Sequence, residues 1–178
     1  MKVLLLNGSP RKGNSYTALE TLKRGLANIE DLQISQIDTT KVTVSHCTAC
    51  EYCKTHSKCV VNDDTNAVID AVAEADILIF ATPVYWWGIS AQLKVIIDKF
   101  YSQQKRLSKA KKQVGLIVTG QLAEDNLQYK IISQQFQCSA DFLGWDMAFC
   151  NTYSAYDADD LAKNTEAISE IEHLWEKI

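Results

Sequence analysis

Proline is scarce in this chain: Pro10 and Pro83 are the only two in 178 residues, with seven glycines beside them. No low-complexity segment, linker or internal repeat is visible. Long apolar runs are missing as well. No stretch approaches the roughly 18 apolar residues of a membrane span. The run in MKVLLLNGSP stops at Asn7, short of a signal-peptide core with its small-residue cleavage site, so the expected location is the cytoplasm, with no membrane contact. Positive charge is not in excess either. Eighteen Lys and Arg face 22 Asp and Glu, the formal net charge is −4, and the pI is about 5.4. Nucleic acid is therefore not an expected partner. Ser-His-Asp and paired-carboxylate patterns are absent around the motifs described below, so no catalytic side chain is expected, consistent with a cofactor carrying the chemistry.

What is present is a regular alternation. The chain is 47% hydrophobic, enough for one domain over residues 1–178 with a sizeable core. KVLLL (2–6) reads as a buried strand, and Tyr16, Leu19, Leu22, Leu26 and Ile29 then fall at helical spacing. LQISQID (32–38) is a weaker strand. After a cysteine-rich segment, a helix capped by Asp63 or Asp64 carries Val68, Ile69 and Val72. DILIFA (76–81) is the clearest strand, and Leu93, Ile96, Ile97 and Phe100 follow on a helix. VGLIVT (114–119), a helix near 125–142, WDMAFCN (145–151) and a last helix through Leu161, Ile168, Ile171, Leu174 and Ile178 complete the pattern. This alternation predicts an α/β fold, a parallel sheet with helices on both faces; within that class the expected arrangement is the flavodoxin-like three-layer sandwich with five strands in the order 2-1-3-4-5.

Both prolines and the glycines Gly8, Gly13, Gly88 and Gly120 lie in loops that leave the carboxyl ends of strands one, three and four. Ligands of open α/β sheets bind there, where the strand order reverses. The first loop, GSPRKGNS (8–15), matches the P-loop pattern except that Asn14 replaces the lysine. It opens a helix, so free amides and the positive dipole end face its mouth. Ser9, Asn14 and Ser15 add short polar groups, Arg11 and Lys12 add charge, and Gly13 permits close approach. Without the lysine and a Mg²⁺ partner, this suits one terminal phosphate rather than a triphosphate. The second loop, Pro83-Val84-Tyr85-Trp86-Trp87-Gly88, gathers three large aromatics, suited to a planar heteroaromatic ligand or to a subunit interface. Thr119 and Gly120 are expected on the third side.

GSPRKGNS and TPVYWWGISAQLKVIIDKFY resemble the two signature segments of the flavodoxin-like NAD(P)H-dependent FMN reductases, and the likeness is strongest through residue 120. The resemblance implies that Ser9, Arg11, Asn14 and Ser15 contact the phosphate of FMN and that Pro83 to Gly88 border its ring. It also implies a homodimer or homotetramer whose neighbouring subunit completes the pocket.

Residues 47–59, CTACEYCKTHSKC, space four cysteines as C-x2-C-x2-C-x5-C. Cys47, Cys50, Cys53 and Cys59 are enough to ligate one [4Fe–4S] cluster. The spacing and the following VVNDD resemble the iron-sulfur flavoproteins, a branch of the same family. A cysteine-rich loop without metal is the alternative. Zinc with His46 or His56, a disulfide and a redox thiol couple rank behind. Cys138 and Cys150 lie apart and read as buried structural thiols. The acidic run Asp157 to Asp160 is expected to cap the last helix.

The expected function is transfer of hydride from NAD(P)H through FMN to a quinone, flavin or other acceptor. The alternative is an electron carrier using FMN, with or without the iron-sulfur cluster, that exchanges electrons with protein partners. A ligand-free binding module is a third class.

Overall fold

Lys2–Asn7 forms the first strand, β1, because its side chains are apolar on both faces: Val3 and Leu5 enter one core and Leu4 and Leu6 the other. A strand buried on both sides reads as a continuous apolar run. A computed structural model describes residues 1–178. After β1 come α1 (Asn14–Leu26), β2 (Gln33–Asp38), α2 (Cys53–His56), α3 (Thr65–Glu74), β3 (Ile77–Pro83) and α4 (Ala91–Lys99). A 3-10 turn (Phe100–Gln103) leads to α5 (Gln104–Leu107), β4 (Gln113–Gly120), α6 (Leu127–Leu143), β5 (Asp146–Ser154), α7 (Asp160–Lys163), α8 (Thr165–Glu172) and a final 3-10 turn (Leu174–Lys177). No helix is long and apolar enough to cross a membrane.

All four strand pairings are parallel, and the order is β2-β1-β3-β4-β5, as expected. The carboxyl ends of β1 and β3 are adjacent, with Asn7 opposite Ala81. Helices α3, α4 and α6 pack on one face of the sheet, and α1 and α8 on the other. On the second face α1 approaches α8 closely at Gly25, where a Cβ would stand 1.9 Å from the backbone oxygen of Glu172. Gly25→Ala is therefore expected to separate the two helices and destabilise the chain by about 3 kcal/mol, the upper range for overpacking. Urea unfolding measures this.

The last segment differs from the expected single helix. It breaks at Asn164, whose side chain accepts the Ala167 N–H at 3.0 Å and caps α8. The acidic run lies too far upstream to reach the first turn of α8. Asp160 instead accepts the amides of Tyr156 and Asp157 (3.0 and 2.7 Å) and shapes the loop before α7.

Candidate functional site

Between β1 and α1 the chain turns through Gly8 to Gly13. The Gly8 N–H donates to Ala81 O at 2.8 Å. A Cβ at Gly8 would lie 3.0 Å from Ala81 O, Leu93 Cβ and Ser90 Oγ together, so glycine lets this loop rest against the end of β3 and the start of α4. The two loops that carry the unusual residues are thus neighbours, as the strand order requires.

The first loop is prefolded. Ser9 accepts from the Arg11 N–H (3.3 Å) and donates to Arg11 O (2.7 Å), while its own N–H is held by Asn7 Oδ1 (3.0 Å). Gly13 precedes α1 without a side-chain cap, and the first helical bond is Thr17 N–H to Gly13 O at 2.9 Å. The amides of Asn14, Ser15 and Tyr16 consequently have no acceptor in the chain and point into the loop mouth, an arrangement suited to an anion. Buried Ser15 lies with its Oγ 2.7 Å from Thr119 Oγ1, tying the end of β4 to the first loop. Arg11 and Lys12 are exposed and form no ion pair with a carboxylate; Lys12 Nζ sits 5.6 Å from the centre of the Tyr16 ring.

Asn14 is committed elsewhere. Its Nδ2 donates to Asp157 O (2.7 Å) and its Oδ1 accepts from the Leu161 N–H (3.1 Å). The side chain pins the loop before α7 onto α1, leaving the Asn14 backbone N–H as the group that faces the mouth.

The second loop is a two-residue hairpin. Tyr85 and Gly88 exchange both backbone hydrogen bonds (2.8 and 3.0 Å), and the residues between them, Trp86 and Trp87, have φ of 49° and 61°. Left-handed backbone at both central positions is a type I′ turn, which normally selects Asn-Gly. Bulky residues there are strained by about 1–3 kcal/mol each. Trp86 is nevertheless 92% exposed, and Trp87 and Tyr85 are exposed as well. The amides of Trp86 and Trp87 donate to nothing in the chain. Val84 is fastened through its N–H to Thr119 O (2.8 Å), and a Cβ on Gly120 would meet Val84 Cγ2, Tyr129 Oη and Gln128 Nε2 at 2.8 to 3.0 Å. Gln128 was not legible as a site residue from the sequence, yet its buried Nε2 has no partner.

The cysteine loop is closed at its neck by two aspartates. Asp64 Oδ2 accepts the Thr43 N–H (2.7 Å), and Asp63 accepts the amides of Ser45 (2.8 Å) and Thr65 (2.9 Å). Asp64 occupies the position before α3 without a side-chain cap bond; Asp63 does the capping through Thr65. Cys59 is clamped on both backbone groups by Asn66 (2.9 and 3.0 Å). Cys47, Cys50, Cys53 and Cys59 line one hollow with Lys99, Tyr101 and Ser102. All four are free thiols, and no three His, Cys, Asp or Glu side chains converge on a single-ion position. Burial pushes the Cys53 thiol up. The hollow sits at the far end of α4 from the aromatic hairpin, about 14 Å along a nine-residue helix.

Cys138 and Cys150 are exposed rather than buried. Cys138 lies on an outward position of α6. Cys150 lies on β5, a sheet edge, where its Sγ is 3.0 Å from Ser133 Oγ. Apolar neighbours in sequence do not bury a residue on the outward side of a helix or at a sheet edge, where a neighbouring element covers it incompletely.

Residues 1–140 match the family model described as NADPH-dependent FMN reductase. An iron-sulfur flavoprotein of Methanocaldococcus jannaschii is 34% identical over 100 residues, 56% of this chain and 51% of that protein. The Bacillus subtilis protein YwqN, named as an NAD(P)H-dependent FMN-containing oxidoreductase, is 28% identical over 123 residues, 66% of this chain and 68% of that one. The chain spans about half the length of most of the iron-sulfur flavoproteins it matches. Among solved structures, an FMN-dependent NADH-azoreductase of Bacillus anthracis in complex with FMN has a TM-score of 0.66 at 13% identity, over 97% of this chain and 96% of that one. The chain belongs to the NADPH-dependent FMN reductase family, within which its sequence relatives include the iron-sulfur flavoproteins.

Proposed function

We propose that residues 1–178 form a single FMN-binding domain and that the chain is an oxidoreductase taking hydride from NAD(P)H and passing the electrons to a quinone, flavin or other acceptor. The observation that carries this reading is the adjacency of two dissimilar loops. The unpaired amides at the start of α1 lie beside a strained, exposed aromatic hairpin, at the reversal point of the sheet.

The residues fit the group. The amides of Asn14, Ser15 and Tyr16 offer three donors to a terminal phosphate, with Ser9 and Ser15 beside them and the Arg11 and Lys12 charges at the rim. The missing P-loop lysine matches a monophosphate. Pro83, Val84, Tyr85, Trp86, Trp87 and Gly88 present a wall for a flat ring, the free amides of Trp86 and Trp87 give donors to its heteroatoms, and the Gln128 amide group is a third polar handle beside Thr119 and Gly120. FMN, when bound, supplies the hydride and electron chemistry. The chain's work is to bind, orient and exclude water. The Ser15 to Thr119 bond sets the distance between the phosphate end and the ring end. The exposed Trp86 leaves apolar surface that a second subunit covers in a homodimer or homotetramer.

The cysteine hollow favours a second activity at the same protein, single-electron transfer. Four cysteines lining one hollow match the ligand number of one [4Fe–4S] cluster. Cys47, Cys50, Cys53 and Cys59 are the ligands assigned to a [4Fe–4S] cluster, which when bound supplies one-electron transfer. Location in the cytoplasm is part of the same reading, since free thiols persist there.

Anaerobic mixing with NADPH and NADH separates the reductase from a carrier. The reductase reading predicts rapid bleaching of the flavin band by at least one of them. Bleaching only by a ferredoxin-like donor would replace it with the carrier.

A further inference from the structure

Lys99 ends α4 and is 3% exposed. No carboxylate pairs with it: the neighbouring Asp98 is occupied by Lys94. The single side-chain hydrogen bond of Lys99 in the chain runs from Nζ to Cys59 Sγ at 3.5 Å. Taking an ammonium group out of water costs several kcal/mol unless a counter-charge accompanies it. The position therefore calls for negative charge on the sulfur side of the hollow.

Ser102 follows three residues later in the 3-10 turn, a spacing that aligns side chains on one face. It is buried, lines the same hollow, and its Oγ has no hydrogen-bond partner. Two donors on one short stretch thus face four cysteines. The loop opposite is held in an unusual backbone form: Ala49, Glu51 and Ser57 have φ of 54°, 58° and 52°. Such strain clusters where a segment is shaped around a function.

We propose that Lys99 and Ser102 are the charge and hydrogen-bond donors of an anionic sulfur site, and that they raise its one-electron reduction potential. This rests on the reading that the four cysteines hold a [4Fe–4S] cluster. Reduction adds one electron, and hence one negative charge, to the site. A fixed ammonium and a hydroxyl pointing at the sulfurs stabilise that added charge more than they stabilise the oxidised form, so both shift the equilibrium toward reduction. Neither residue ligates iron. Both act through the sulfurs.

The test uses the full chain, reconstituted anaerobically with iron and sulfide, as wild type, Lys99→Met, Lys99→Arg and Ser102→Ala. Iron per chain is measured, and each protein is then titrated with dithionite through mediators, dithionite giving up the electron that each site takes. The EPR signal of the reduced form is followed. Wild type is expected to hold about four irons per chain. Lys99→Met is expected to lower the reduced-to-oxidised ratio about tenfold at a given potential, about 59 mV for a one-electron couple. Ser102→Ala should fall in the same direction by less, and Lys99→Arg should return close to wild type. If wild type binds iron while Lys99→Met and Ser102→Ala titrate with it, the proposal is overturned and the cluster reading stands. If wild type binds no iron, both are overturned. If Lys99→Met alone loses iron, Ser102→Ala decides, a lowered potential supporting the proposal and an unchanged one overturning it.

Discussion

Arg11→Ala combined with Ser15→Ala is expected to weaken FMN binding at least a hundredfold. The phosphate end of the site has few groups, and each counts. Hydrogen bonds to a charged group contribute about 1.5–3 kcal/mol each, so two lost contacts exceed the roughly 2.7 kcal/mol that separates affinities a hundredfold apart. Arg11 is exposed and unpaired, which means its removal disturbs no internal bond. Ser15 is different. Its hydroxyl also holds Thr119 at 2.7 Å, so the serine change loosens the connection between the first loop and β4. Thr119→Ala alone separates the two effects: it breaks the same internal bond and keeps the Ser15 hydroxyl. Fluorescence titration of the flavin-free proteins measures all three. An affinity of the double variant within a few-fold of wild type would remove the first loop from the site.

Replacing Trp86 by Asn and Trp87 by Gly is expected to stabilise the flavin-free chain while weakening FMN binding and subunit association. The hairpin demands φ above zero at both positions, and Asn-Gly is the pair that meets this demand with least strain. Relief of about 1–3 kcal/mol per residue outweighs the edge-to-face contact between the two indoles, whose centroids are 5.6 Å apart, a contact of about 0.5–1.5 kcal/mol. Trp86 is almost fully exposed and gives up little burial in the single chain, whereas Trp87, about half exposed, gives up part of its own, which reduces the net gain. Strain kept at an exposed loop is intelligible if the rings serve something outside the chain, and gain of stability with loss of function is the usual signature of such a site. Urea unfolding of the flavin-free variant, with gel filtration and flavin titration alongside, measures each part. Unchanged stability together with unchanged flavin affinity would mean that the turn stores no strain and that the indoles are not part of the wall.

The fold was legible wherever burial dictates composition. β1, β3 and β4 are covered on both faces, and their unbroken apolar runs cannot be read as anything else at that length. β2 and β5 lie at the sheet edges, where one side faces out and the signal weakens; the misplacement of Cys150 follows from the same cause. The site was legible as two loops, because glycine and proline mark the places where the chain turns tightly. Their adjacency followed from topology rather than from any residue. What stayed hidden depends on partners distant in the chain. The Asn14 side chain bonds Asp157 and Leu161, and Lys99 bonds Cys59; no local pattern announces either contact. The type I′ hairpin was hidden for another reason. Its sequence is Trp-Trp, so the usual Asn-Gly signal is absent, and the turn is strained for the same reason.

The most direct measurement is a visible spectrum of the anaerobically purified chain with flavin released and quantified, before and after NAD(P)H. The expected result is FMN bands close to one flavin per chain, bleached by NADPH or NADH. A colourless protein that fails to retain added FMN would contradict it.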